Sequence, residues 1–159
     1  MSDEKKNALA REVYETLCQA IENRDWRYEK EEEKLLVHFG VNGDDIPMNF
    51  IIFVDAKRQL ITSLSPLPFM MSEEKRVEGA IAACVASFGM ADGSFDYDLS
   101  NGRISFRMTA SFRDSKIGDG LFQYLISCSC AMVDKYNEQF LAIDKGMLSI
   151  ADFIEMRNS

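Results

Sequence analysis

The stretch that decides the fold spans residues 93–112 and reads GSFDYDLSNGRISFRMTASF. Apolar and polar residues alternate on both sides of Asn101 and Gly102. Successive side chains of a strand point to opposite faces, and Asn-Gly is a preferred pair for a tight turn between antiparallel strands. The stretch therefore predicts a β-hairpin with one apolar face.

Earlier segments show the same period of two, which predicts three or four more strands. Their ranges are Trp26–Tyr28, Leu35–Val41, Met48–Val54 and Gln59–Leu64. The first is short and leads into the charged run Glu29–Lys34, which predicts a solvated sheet edge. The last is predicted to end at Pro66 and Pro68, because proline lacks the N–H that a β-ladder needs.

Apolar residues at helical spacing predict four helices. The first covers residues 3–24, the second begins after Ser72, and the third is long and ends at Gly146. A short terminal helix follows Ser149, a residue type that caps helix N-termini. On the second helix the spacing predicts an apolar face formed by Val77, Ala80, Ile81, Cys84 and Phe88. The other side of this helix carries Ala82, Ala83 and Ala86.

Consecutive strands with short connections favour an antiparallel sheet over alternating βαβ units. The sequence therefore predicts an α+β, two-layer domain with a mostly antiparallel sheet and helices on one face. The predicted order is α-β-β-β-α-β-β-α plus a short C-terminal helix. We expect one domain over residues 1–159, with an N-terminal helix at 1–24 and a C-terminal helical tail at 147–159.

The composition of the chain limits the classes of partner that it can bind. The 159 residues carry a formal net charge of -8, and such a field repels phosphate backbones and anionic lipid. We therefore expect no nucleic acid and no membrane as partner. The N-terminus lacks an apolar signal segment, which favours a cytoplasmic protein. The four cysteines lie in apolar-periodic segments, so we expect reduced, buried thiols rather than disulfides.

Residues able to carry chemistry are few, and we expect no cofactor, no metal site and no catalytic residue. His38 is the only histidine and lies within a predicted strand. Cys128 and Cys130 lie on a predicted helix, where residues two apart point about 200° away from each other. Asp96 and Asp98 share one strand face, the arrangement of an acid-base pair, but they also fit solvated positions that an arginine such as Arg107 neutralises.

The second face of the first strands is apolar as well. Leu36, Ile51 and Phe53 should point away from the helix-covered side of the sheet. Either another part of the chain covers them, or they form a dimer interface or a groove for a partner. They are the candidate protein-binding residues of this sequence.

Several short motifs resemble those of the YbjN domain family. They are Gly93–Asp98, Asn101–Arg107, Val133–Tyr136 and Gly146, together with Trp26–Tyr28 and Leu64–Pro68. That family is similar in fold to the class I type III secretion chaperones. The resemblance spans Trp26 to Gly146 and implies an α+β domain that often dimerises, with regulatory or chaperone-like binding roles. It implies no catalytic residue.

The leading hypothesis is a non-enzymatic protein-binding module, chaperone-like or regulatory, that forms a homodimer and binds a protein client or regulatory partner. A second hypothesis is an enzyme or small-ligand binder using Asp96, Asp98, Arg107 and His38. The third is a structural subunit of a larger complex. The sequence leaves the choice between the first and the third open.

Overall fold

The computed structural model describes all 159 residues as four α-helices and six strands. The helices are α1 (Asp3–Glu22), α2 (Arg76–Ser87), α3 (Asp119–Asp144) and α4 (Ile150–Asn158). The strands are β1 (Tyr28–Glu31), β2 (Leu36–Asn42), β3 (Pro47–Asp55), β4 (Leu60–Met70), β5 (Ser94–Asp98) and β6 (Arg103–Ser111). No helix is long and apolar enough to cross a membrane.

The six strands form one antiparallel sheet in the order β1-β2-β3-β4-β6-β5. The predicted hairpin is present, with Phe95 opposite Phe106 and Asp98 opposite Arg103. Gly102 in its turn has φ +78°, a left-handed conformation that glycine adopts without a steric penalty. The predicted α+β class and the antiparallel sheet are confirmed.

The core lies between one face of the sheet and the helices. A single cluster of 32 buried hydrophobic residues joins the strands to all four helices. Leu17 of α1, Phe140 of α3 and Phe153 of α4 are all fully buried in it. Ser149 caps α4, since its hydroxyl accepts a hydrogen bond from the Asp152 backbone N–H at 3.1 Å.

The prediction that the fourth strand ends before its prolines is wrong. β4 continues through Pro66 and Pro68 to Met70. Its pairing with β3 stops at Leu64, and from there only β6 lies alongside, with a register shift between Pro66 and Met70. Proline has no backbone N–H to donate, and no donor is needed on the side where β4 has no neighbouring strand. This half of β4 therefore tolerates both prolines.

The apolar face predicted for α2 does not face the core. The buried residues are the small ones, Gly79, Ala82, Ala83 and Ala86, and the bulky ones point to solvent. A Cβ atom added at Gly79 would lie 2.6 Å from Met71 Cγ and 2.7 Å from Tyr97 Oη. The helix therefore packs too close to its neighbours for large side chains on the inner face.

Candidate functional site

The sheet face opposite the helices carries a continuous apolar strip. Leu36 lies opposite Phe53, and Ile51 lies between His38 and Leu64 on the neighbouring strands. We define the apolar strip by the residues with side chains on this face of β2, β3 and β4: Leu36, Ile51, Phe53, Leu60 and Leu64. All five are half-buried and belong neither to the buried core nor to the apolar residues packed against it.

The three candidate residues thus share one surface. Leu36, Ile51 and Phe53 shield each other's flanks as cross-strand and same-strand neighbours, which explains why they are half-buried without a covering helix. The sequence reasoning omitted Leu60 and Leu64 from this face. Their alternation with Ile61 and Ser63, which are fully buried, is the signal that would have found them.

Beyond the strip, the open face becomes polar on β6 and β5. Arg107 donates two hydrogen bonds to Asp96, from Nε to Oδ2 at 2.7 Å and from Nη2 to Oδ1 at 3.1 Å. These hydrogen bonds raise the pKa of Arg107 above its ordinary value. Thr62 and Thr109 continue the polar part next to Phe53. The open face of the sheet is therefore apolar at the strip. Beyond the strip it is polar, and the charges of Asp96 and Arg107 neutralise each other.

At the β1 edge, a shallow groove of about 420 Å³ borders the apolar strip. Its lining residues are Arg27, Tyr28, Glu29, His38, Phe39, Gly40, Asn49, Phe50 and Ile51. His38 Nε2 lies 3.1 Å from Glu31 Oε1. Hydrogen bonds from Lys34 and then from His38 hold the pKa of Glu31 below its ordinary value. The histidine is therefore engaged in a structural pair at the sheet edge.

The side chains of the enzyme hypothesis do not converge. His38 and Arg107 share one cross-strand row, but β3 and β4 separate them, which is about 14 Å at about 4.8 Å per strand. Asp96 is occupied by Arg107. Asp98 accepts hydrogen bonds from the hydroxyl and backbone N–H of Ser100, which lower its pKa. No group of three or more His, Cys, Asp or Glu side chains is placed to hold a metal ion.

The cysteines are unpaired, but the expectation that all are buried is wrong. Cys18 is buried, Cys128 and Cys130 are half-buried, and Cys84 is exposed on α2. Cys84 is exposed for the reason given above, since it belongs to the bulky face that α2 turns outward. Burial raises the pKa of Cys18, Cys128 and Cys130, which disfavours the thiolate.

No protein-family model and no curated protein matches the sequence. A solved structure does match: the crystal structure of YbjN from E. coli, described there as a proposed transcription regulator. The two align with a TM-score of 0.58 over 79% of this chain and 92% of the YbjN chain. The chain has a YbjN-like fold. Sequence identity with YbjN is 9%, so the likeness concerns the fold alone. The YbjN resemblance seen in the motifs is confirmed at that level.

Proposed function

We propose that the protein is a non-enzymatic protein-binding module, regulatory or chaperone-like, which binds its partner with the open face of the sheet. The observation that carries the proposal is the apolar strip defined above. A contiguous apolar patch that the rest of the chain leaves partly exposed is typical of interaction sites. Its polar border of Thr62, Thr109 and the Asp96–Arg107 pair resembles the rim that surrounds an apolar interface centre.

Two observations support a regulatory role exerted through protein contact. The fold is shared with YbjN, which is described as a proposed transcription regulator. The net charge of -8 disfavours direct contact with a phosphate backbone, and Arg107 on the open face of β6 is already paired with Asp96. Regulation through a protein partner fits both observations.

The remaining parts of the proposal concern location and assembly. The protein acts in the cytoplasm, in keeping with four unpaired cysteines, and does so as a homodimer. Residues 1–159 act as one domain, since Leu17 of α1 and Phe153 of α4 enter the same core as the sheet. The structural-subunit hypothesis differs only in the identity of the partner.

The test is a comparison of variants in affinity capture from the host, with proteins identified by mass spectrometry. Phe53→Asp places a charge at the centre of the apolar strip, where we expect loss of the partners that wild type retains. Leu99→Asp is the matched control, because Leu99 is an exposed apolar residue in the β5–β6 turn, away from the strip. Circular dichroism verifies that both variants are folded.

A partner set that is lost with Phe53→Asp and kept with Leu99→Asp supports the proposal. Equal retention by wild type and both variants contradicts it. A benzoylphenylalanine photo-crosslinker at position 51 then identifies the direct partner among the captured proteins, and the same probe at position 99 controls for proximity alone.

A further inference from the structure

A cavity of about 270 Å³ lies between α3 and the loop that joins α2 to β5. Residues of the loop, of α3 and of α4 line it, among them Met90, Asp92, Tyr124, Met132, Lys135 and Arg157. The cavity is on the helical side of the sheet, away from the apolar strip. It is therefore a second candidate site, which the proposed function does not use.

The loop is attached to α3 by a hydrogen bond between two lining residues. Tyr124 Oη donates to Asp92 Oδ2 at 3.1 Å, and Asp92 Oδ1 accepts a hydrogen bond from the Gly93 backbone N–H at 3.0 Å. The hydrogen bond to Asp92 raises the pKa of Tyr124, so the hydroxyl stays protonated and keeps donating at neutral pH. Both oxygens of Asp92 are thus engaged within the loop and α3.

Two cations line the cavity without an acidic partner. Lys135 Nζ lies 5.3 Å from the centre of the Tyr136 ring and forms no ion pair. Arg157 donates a 2.7 Å hydrogen bond to the Phe88 carbonyl, but its Nε is shielded from solvent and has no acceptor in the chain. A donor left unpaired away from water costs free energy, which an added acceptor recovers. The two cations outnumber the one carboxylate, so the cavity is locally positive in a chain whose net charge is -8.

The rest of the lining is neutral and mostly apolar. Six of the ten lining residues are hydrophobic, including Met90 and Met132, and methionine sulfur packs favourably against aromatic rings. Tyr124 and Tyr136 contribute two rings. Cys128 contributes a thiol that stays protonated, because burial raises its pKa. A ligand that matches this lining has an apolar, ring-shaped body in addition to an anionic group.

We propose that this cavity binds a small aromatic carboxylate. Lys135 and Arg157 hold the carboxylate through charge-assisted hydrogen bonds, and the ring packs against Met90, Met132 and Tyr124. The volume lies below the range of about 300–1,000 Å³ that is typical of sites for drug-sized ligands, so the ligand is small. The proposal goes beyond the protein-binding function and does not depend on it, because the two sites lie on opposite sides of the sheet.

Isothermal titration calorimetry of the full chain with three probes tests the proposal. Phenylacetate carries both features, phenylacetamide has the same shape without the charge, and acetate has the charge without the ring. We expect phenylacetate to bind with a Kd below about 1 mM, and each of the other two probes to bind at least about tenfold more weakly. A weaker Kd for phenylacetate, or equally tight binding of phenylacetamide, overturns the proposal. Equally tight binding of acetate overturns its aromatic part.

Variants test whether the probe binds in this cavity. Lys135→Gln and Arg157→Gln should each weaken phenylacetate binding at least about tenfold, because each removes a charge-assisted contact. Lys145→Gln is the matched control, since it removes the same charge just after α3 without lining the cavity. Lys135 is exposed, so its variant should fold, which circular dichroism verifies. Affinity that is unchanged in either lining variant, or that falls as much in Lys145→Gln, overturns the assignment.

Discussion

Phe153 of α4 and Phe88, which directly follows α2, should differ sharply in their contribution to stability when each is replaced by alanine. Phe153 is 0% exposed and contacts Tyr136 and Phe140, with ring centroids 6.4 and 6.3 Å away, whereas Phe88 is 83% exposed. Burying about 150 Å² at about 25 cal/mol/Å² gives about 4 kcal/mol for Phe153→Ala. Phe88 removes roughly a sixth of its surface from water, so Phe88→Ala should cost about 0.6 kcal/mol.

Urea denaturation followed by circular dichroism measures both free energies of unfolding. Protein concentration is kept low, so that self-association does not contribute to the stability of wild type. In thermal melts, Phe153→Ala should lower Tm by about 8–16 °C, because 1 kcal/mol corresponds to about 2–4 °C for a chain of this size. If Phe88→Ala destabilises as much as Phe153→Ala, α2 packs with its bulky face inward and the orientation described for it is refuted.

Three further predictions concern local contacts. Gly102→Ala should cost about 2–5 kcal/mol from its left-handed φ and a clash with a backbone carbonyl, whereas Gly146→Ala, also left-handed but in open space, should cost about 1 kcal/mol in thermal melts. The fully buried hydroxyl of Ser63 has no hydrogen-bond partner, so Ser63→Ala should stabilise by up to about 1 kcal/mol, while Ser129→Ala, which loses a 2.7 Å hydrogen bond, should destabilise by about as much in urea titrations. Arg24, which follows α1, lowers the pKa of Asp119 through a side-chain hydrogen bond. The ion pair therefore stabilises above the unfolded pKa of about 3.9 and is lost as the pH falls through the folded pKa. The Tm difference between wild type and Asp119→Asn should shrink from pH 6 to pH 2.

Local signals predicted the parts of the fold in which periodicity and packing agree. The third helix is the best example, because Phe122, Val133 and Phe140 recur at helical spacing and all three are buried. The hairpin around Asn101 and Gly102 is a second example, since the turn residues and the alternation of its strands specify the same register. Neither feature requires knowledge of the rest of the chain.

The orientation of α2 was beyond those signals. Its sequence contains two helical stripes, one bulky and one of small residues, and hydrophobicity alone favours burying the bulky one. The distance between α2 and its neighbours decides the matter, as the crowding around Gly79 indicates. That distance depends on Met71 and Tyr97, which come from other segments of the chain. The open half of β4 beyond Leu64 is similar, because it depends on where β4 separates from β3.

For the candidate site, alternation within β2 and β3 sufficed to assign Leu36, Ile51 and Phe53 to one face. The pairing of β4 with β3 then adds Leu64 beside Ile51, a neighbour that no single strand reveals. What the strip binds depends on a partner's surface, so it stays a proposal.

The position of β4 has a consequence for folding kinetics. β1 to β4 form by successive hairpins, and so do β5 and β6, but the two sets meet only at the β4–β6 pairing, in which Leu60 lies opposite Ser111. Pairing β4 with β6 closes a long loop of chain between them, and this costs chain entropy before the contacts between the two strands form. The rate-limiting step of folding should therefore be the pairing of two preformed units, β1–β4 and β5–β6, through β4 and β6. The segment that connects the two units and must change position during this step contains α2.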